Sequence, residues 1–285
     1  MYKVWEAKQK AVARIYKDFD ESYAELPRIL AALSDADLEI VTTLKCNPRV
    51  PGTCIFNSAF WAFDLCIRGF RHCKPVISVD ATHLYGKYKG KLLIAMAADG
   101  NNKIYPLAFA VVESESTESW GWFLACLLTY VTDQTNLCII SDRHRGIQSC
   151  FVDTEHRGNL QPPLVHHQYW LCHLVSNVNT NFNSVALKNL VWKAATANQV
   201  RKFENTMDCI KNVNPNVYDY LKEVADQKWT LVHDHGHRYG AMTTNLSECF
   251  DGVLKGARSL PITAMVQYTF YKVNSYFDDH RNKTL

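Results

Sequence analysis

No stretch of this sequence approaches the roughly 18 consecutive apolar residues of a membrane-spanning helix. Nor does the N-terminus, Met1-Tyr2-Lys3-Val4-Trp5-Glu6, carry the apolar run of a signal peptide, so a soluble, non-secreted protein is expected. Charge of one sign is not in excess: 31 Lys and Arg against 28 Asp and Glu leave a formal net charge of +3, with a pI near 8.3. That balance excludes a histone-like basic protein and an acidic solubilising tail. It also falls short of the pI above roughly 9 that marks an obvious nucleic-acid module. The ten cysteines contain no C-x-x-C pair and are scattered through the chain, which argues against a disulfide framework and for a reducing compartment, cytosol or nucleus. Internal repeats, low-complexity tracts and the usual glycine-rich phosphate loops are absent too, so a small-molecule phosphotransfer enzyme is disfavoured.

What is present is apolar material. Of 285 residues, 47% are hydrophobic and 12% aromatic, enough for one large domain or two ordinary ones. Residues 1 to about 45 read as helices, with an apolar stripe through Val4-Trp5, Val12-Ala13-Ile15-Tyr16 and Ile29-Leu30-Leu33, and with Ser34-Asp35-Ala36-Asp37 as the cap of another helix. Residues 46–60, holding Pro48, Pro51 and Gly52, read as a loop. From Pro75 the pattern turns to strands. Val76–Asp80 is the first, and Leu92–Ala97 and Ile104–Val112 flank the hairpin signal Asp99-Gly100-Asn101-Asn102. Pro106 cannot donate to a ladder, which predicts an edge or a bulge there. Trp120, Phe123, Leu124, Leu127, Leu128 and Val131 form a helical face, and Leu137–Ser141 has the continuous apolar character of a strand buried on both sides. The order strand-strand-strand-helix-strand predicts an α/β protein with a mixed sheet. After about residue 165 the chain reads as mainly helical, ending in an amphipathic helix from about Leu246 to Ala257.

Asp80 and Asp142 each close an apolar strand, and the intervening crossover can make those strands neighbours. Two carboxylates brought together repel; a divalent cation relieves that repulsion, and Mg²⁺ prefers one or two carboxylates plus phosphate oxygens. The bland alternative is that either residue is a turn former or a helix cap. Glu248 lies off the apolar stripe of the last helix, and Asn245-Leu246-Ser247-Glu248 has the spacing of a capping box.

Three ordered blocks resemble those of plant Mutator-like element (MULE) transposases: Val79–Gly90 running on to Leu92-Leu93-Ile94-Ala95, then Ile140–Ile147, then Thr243–Phe250 with Gly256-Ala257-Arg258-Ser259-Leu260-Pro261. The resemblance implies a ribonuclease-H-like mixed sheet with an N-terminal helical region (1–74), a first part of the catalytic core (75–165), a helical insertion (166–240) before the last catalytic helix, and that helix with the C-terminal tail (241–285). It implies a DDE metal triad of Asp80, Asp142 and Glu248 holding Mg²⁺, with Mn²⁺ as a substitute. The implied chemistry is nicking and strand transfer of double-stranded DNA at transposon terminal repeats and target sites, in the nucleus, with a homo-oligomer among the implied partners and no membrane. Lys87, Lys89, Lys91, Arg143, His144 and Arg145 lie near the aspartates in sequence and are candidate phosphate contacts, against the plainer reading as solvated surface charge.

The sequence departs from that pattern in places. The family's C-x-x-H element falls on Trp170-Leu171-Cys172-His173, where Trp170 replaces the cysteine and His173 fits. Ala81 follows the first aspartate where glycine is common, tolerable unless positive φ is needed. His233-Asp234-His235-Gly236-His237 reads as a surface loop rather than a metal site, because no cysteines stand nearby. Flanking DNA-binding and zinc-binding modules are not evident, and the expectation is the catalytic core of a shortened or decayed element copy. The alternative function is a catalytically inactive, degenerate or domesticated DNA-binding protein.

Overall fold

Seven strands form one mixed sheet in the computed structural model, which describes residues 14–16, 18–35, 40–47, 55–100, 104–152, 160–241 and 254–282. The described elements run α1 (Phe19–Asp35), β1 (Ile40–Asn47), β2 (Ile55–Phe63), α2 (Asp64–Phe70), β3 (Val76–His83), β4 (Lys91–Ala98), β5 (Ile104–Val112) and α3 (Thr117–Cys126), which continues as a π turn over Leu127–Val131. Then come β6 (Leu137–Ser141), α4 (Arg145–Val152), β7 (Val165–Tyr169), α5 (Leu171–Phe182), α6 (Val185–Ala195), α7 (Val200–Val213), α8 (Pro215–Lys222) and α9 (Ile262–Asn282).

Across the sheet the strands lie in the order β1-β2-β5-β4-β3-β6-β7. The pairs β3–β6 and β6–β7 are parallel, and the others are antiparallel. The strand-helix-strand crossover through α3 therefore carries the chain over β4 and β3 to set β6 beside β3. Ser116 caps α3 by accepting from the Ser119 N–H at 3.1 Å, and Glu118 sits in its first turn, where the helix dipole favours a carboxylate. All five residues of β6 are buried, as a strand flanked by neighbours and covered on both faces requires. Phe60 faces Trp122 and Phe123 on the α3 side, whereas Trp61, next along β2, donates its Nε1–H to Thr269 Oγ1 of α9 at 3.0 Å. Helices thus cover both faces.

The N-terminal region differs from the expected helices and loop in two places. Residues 40–47 and 55–63 are antiparallel strands, not helix and loop. Ile40, Val41, Thr42 and Thr43 are β-branched and disfavour a helix, and Ile55–Phe63 is an apolar, aromatic run that the Pro and Gly residues only precede. Ser34 belongs to the last turn of α1, donating to Leu30 O at 3.1 Å, and starts no new helix. Pro106 lies in a central strand and not at an edge; the ladder accommodates it by a register shift between Ala95↔Ala108 and Met96↔Pro106, the bulged alternative. Cys46, on edge strand β1, is disulfide-bonded, an exception to the expectation that the scattered cysteines form no disulfide framework; the other described cysteines are free. A helix at 262–282 was not expected. Its signal was present in Ile262, Met265, Val266 and Val273, buried at helical spacing.

Helices α5 to α8 pack around a core of their own, built from residues such as Leu174, Val178, Val191, Phe203, Met207 and Trp229, distinct from the core of the sheet.

Candidate active site at the carboxyl end of the sheet

Strand register sets where Asp80 and Asp142 project. The parallel β3–β6 pairing runs Val76↔Cys138, Ile77↔Ile139 and Ser78↔Ile140, and each aspartate lies two residues beyond the last of these pairs. In the antiparallel direction Asp80 stands opposite Ile94, Ile94 opposite Phe109, and Phe109 opposite Trp61. Directly opposed residues share a face, so Asp80 projects to the side on which Trp61 meets α9. Both aspartates are half-buried. Asp80 Oδ1 accepts from the Ala81 N–H at 2.8 Å, and Asp142 Oδ1 accepts from the His144 N–H at 3.0 Å. The second contact shapes the turn into α4, so Asp142 acts as a turn former as well as a candidate ligand. Ala81 is extended backbone within β3, and no glycine is needed there.

A cavity of about 570 Å³ opens beside Asp142, lined also by Arg143, His144, Arg145, Gln148, His173 and Asn177. The fold therefore gathers three of the candidate phosphate contacts and the histidine of the altered C-x-x-H element around one carboxylate. Their states differ. Arg143 donates to the Tyr220 hydroxyl of α8 and lies 5.1 Å from the centre of that ring, which ties the sheet to the helical region. His144 Nδ1 accepts from the Gly146 N–H at 3.2 Å, and Arg145 is exposed. The lysines are elsewhere. Lys87 pairs with Asp20 of α1 at 2.7 Å, and Lys91 pairs with Glu115 and contacts His83 Nε2 at 3.2 Å. Lys89 lines a different cavity, bordered by α1 and β2.

Trp170 is buried in the core of the sheet, and its backbone N–H donates to Ser141 O at 2.9 Å. It starts α5, which carries His173 to the Asp142 cavity. Trp170, at the position where the resemblance expects a cysteine, is thus a packing residue holding β7 and α5 against the end of β6.

Glu248 lies outside the described residues. The chain re-enters at Leu254, which is fully buried, and Arg258 then donates from Nη1 to Thr82 Oγ1. Thr82 is two residues from Asp80 on β3, hence on the same face. Tyr85 N–H donates to Arg258 O at 2.7 Å, and the guanidinium lies 5.3 Å from the centre of the Tyr85 ring. Sequence reasoning gave Arg258 no role, although it stood inside the third resembling block. Tyr220 had no motif to mark it.

The histidine run forms turns. The His237 ring stacks on His166 of β7 at 3.4 Å, and His233 Nδ1 contacts Thr230 Oγ1 at 3.0 Å. Among the described residues no group of three or more His, Cys, Asp or Glu side chains could hold a metal ion. Burial holds the His167 imidazole well below its usual range, with Lys228 and Arg238 adding to the effect, so it is neutral beside Ser141 Oγ at 2.9 Å.

Residues 76–177 match the family model of the MULE transposase domain. The matched segment runs from the start of β3 into α5. It contains Asp80, Asp142, Trp170 and His173 and points to a transposase-related function. No curated protein matches the chain.

Proposed function

We propose that this chain is a MULE-type DDE transposase core that nicks double-stranded DNA at transposon terminal repeats and joins the freed end to target DNA. The observation that carries the reading is the pair Asp80, on β3, and Asp142, one residue past the end of the adjacent parallel strand β6, both within the segment matching the transposase domain. The order β5-β4-β3-β6-β7, an antiparallel meander followed by two parallel strands, supports a ribonuclease-H-like core to which β1 and β2 add an edge hairpin. The core of 75–165, which β7 extends to residue 169, the helical insertion that follows up to 240 and the closing segment of 241–285 are the domains of this reading.

Asp80, Asp142 and Glu248 would hold Mg²⁺, or Mn²⁺ in its place. An all-oxygen donor set of carboxylates suits these hard cations and leaves positions for phosphate oxygens. When bound, the metal supplies charge neutralisation at phosphorus and a lowered pKa for the attacking water or 3′-hydroxyl. The chain's own residues orient the site. The His144 N–H fixes one Asp142 oxygen, and Arg258 holds Thr82 and Tyr85 so that the last catalytic segment meets β3. Arg145, His144 and Lys89 are the phosphate contacts of this reading, since Lys87, Lys91 and Arg143 are engaged within the fold. Its compartment is the nucleus, and a second copy of the chain is a partner.

A second reading, a catalytically inactive DNA-binding protein, is favoured by Trp170 filling the cysteine position with packing. A nicking assay on supercoiled DNA separates the two. The transposase reading expects cleavage in Mg²⁺ or Mn²⁺ that is lost in Asp142→Asn; salt-sensitive binding without cleavage supports the binder.

A further inference from the structure

A cavity of about 480 Å³ that the chemistry above does not use lies between α1, the start of β2, the β3–β4 loop and the end of β5. Aromatic rings meet in its wall. Tyr23 is edge-on to Phe56 at 4.7 Å between centroids and to Tyr88 at 5.4 Å. The carboxylate of Asp20 accepts from Lys87 Nζ and from the Tyr88 hydroxyl, which fixes the Tyr88 ring at the rim with 43% of the residue exposed. The polar groups around the rings are of both kinds: Asn57 and Glu113 on the wall, and Lys89 at the mouth.

The place of this cavity matters as much as its lining. Val112 stands opposite Lys91 and Lys91 opposite His83, three residues beyond Asp80, and β5 is two strands from β3. At roughly 3.3 Å per residue and 4.8 Å per strand, the cavity lies on the order of 10–15 Å from Asp80, at the same end of the sheet. Tyr23 belongs to α1, which packs on α9 through Ser22 Oγ and Thr263 Oγ1 at 2.7 Å, and α9 covers the face to which Asp80 projects.

We infer that this cavity binds an unpaired nucleobase of the DNA strand being processed. The inference rests on the reading of the chain as a DNA-acting protein and adds a site to it. The rings offer a surface that any base can use, because every base has a π-face. The Asn57 amide N–H groups (its Oδ1 accepts from Ser58 Oγ at 2.9 Å) and the Glu113 carboxylate meet its hydrogen-bonding edge, and Lys89 meets the adjoining phosphate. A purely apolar side chain would leave the amide and the carboxylate unused, and a bare anion would leave the rings unused. A strand end nicked near Asp80 has lost its continuity and unpairs more readily than an intact duplex, and a base held here keeps it from re-pairing.

The test is binding of a labelled oligothymidylate of about ten nucleotides and of a duplex of equal length, measured by fluorescence anisotropy in EDTA at fixed salt. Tyr88→Leu is expected to weaken single-strand binding roughly tenfold; Tyr88→Phe, which keeps the ring and loses only the hydroxyl contact to Asp20, should weaken it far less, and neither should alter duplex binding. Phe56→Leu, a second removal of a ring, should act as Tyr88→Leu does. Wild-type protein that does not bind the single strand, unchanged binding by Tyr88→Leu, or equal losses on single strand and duplex would each overturn the proposal. Because metal is absent, the outcome does not depend on cation binding by Asp80, Asp142 and Glu248. Missing metal-dependent nicking with ring-dependent binding intact would sink the transposase chemistry alone.

Discussion

Lys228 Nζ donates to the backbone carbonyl of His167 at 2.9 Å, so a cation, and not a further strand, occupies that acceptor on edge strand β7. Arg238 repeats the device two residues along, donating from Nη2 to Tyr169 O at 3.0 Å and to Lys228 O at 2.5 Å. Open strand edges invite pairing with other chains, and charge placed on the edge suppresses it. Burial lowers the pKa of both groups, which is the cost of using cations for this purpose. Lys228→Met should leave the His167 carbonyl without its donor and destabilise the protein by about 1–3 kcal/mol. Urea denaturation followed by circular dichroism reads this directly, and an unchanged midpoint would show that the edge does not need the lysine.

The same strand sets a pH dependence. His167 is buried against Phe151, its ring stacked at 4.0 Å, and its pKa lies well below the ordinary 6.5. The unfolded chain therefore takes up a proton near pH 6.5 that the folded chain does not, and stability falls as pH drops below that value. The slope contributed by this one group approaches about 1.4 kcal/mol per pH unit. His167→Gln keeps a partner for Ser141 Oγ and removes the titration. Its stability should change less than that of the wild type between about pH 7 and pH 5, and equal slopes would assign the acid sensitivity to other groups.

Trp170 invites an obvious experiment, placing there the cysteine that the resemblance expects. The side chain is 2% exposed and belongs to the core of the sheet. Trp170→Cys should open a cavity and destabilise the protein by about 3–5 kcal/mol, the range of large-to-small core truncations. Trp170→Phe should cost much less, since it retains most of the ring volume and removes an indole N–H that is buried without a hydrogen-bond partner among the described residues. Thermal melts of the two variants decide between packing and a chemical role. A cysteine variant as stable as the wild type would show that the packing of the indole does not hold this part of the fold together.

The middle of the chain was legible because its periodicities are unmixed. Leu137–Ser141 is a continuous apolar run and became the fully buried β6, and Asp99-Gly100 marked the connection between β4 and β5. The adjacency of the two aspartate strands followed from the crossover. The N-terminal strands were not legible, because β1 mixes Thr and Lys with its apolar residues, and β2 follows a stretch rich in proline and glycine. Their pairing is a long-range fact that local propensity does not contain. Local pattern equally could not show that Lys87, Lys91 and Arg143 find partners within the fold. Asp20, Glu115 and Tyr220 lie 67, 24 and 77 residues away from them in sequence. Glu248, the third acidic residue, lies outside the described residues, and its part in the site rests on sequence alone.

The central claim is that three carboxylates distant in the chain share a cation. Electron paramagnetic resonance of Mn²⁺ titrated into the full chain measures this without any DNA substrate. The account predicts bound Mn²⁺ in the wild type and a marked loss of binding in Asp80→Asn, Asp142→Asn and Glu248→Gln alike. An E248Q protein that binds Mn²⁺ as tightly as the wild type, while either aspartate variant fails, would contradict it.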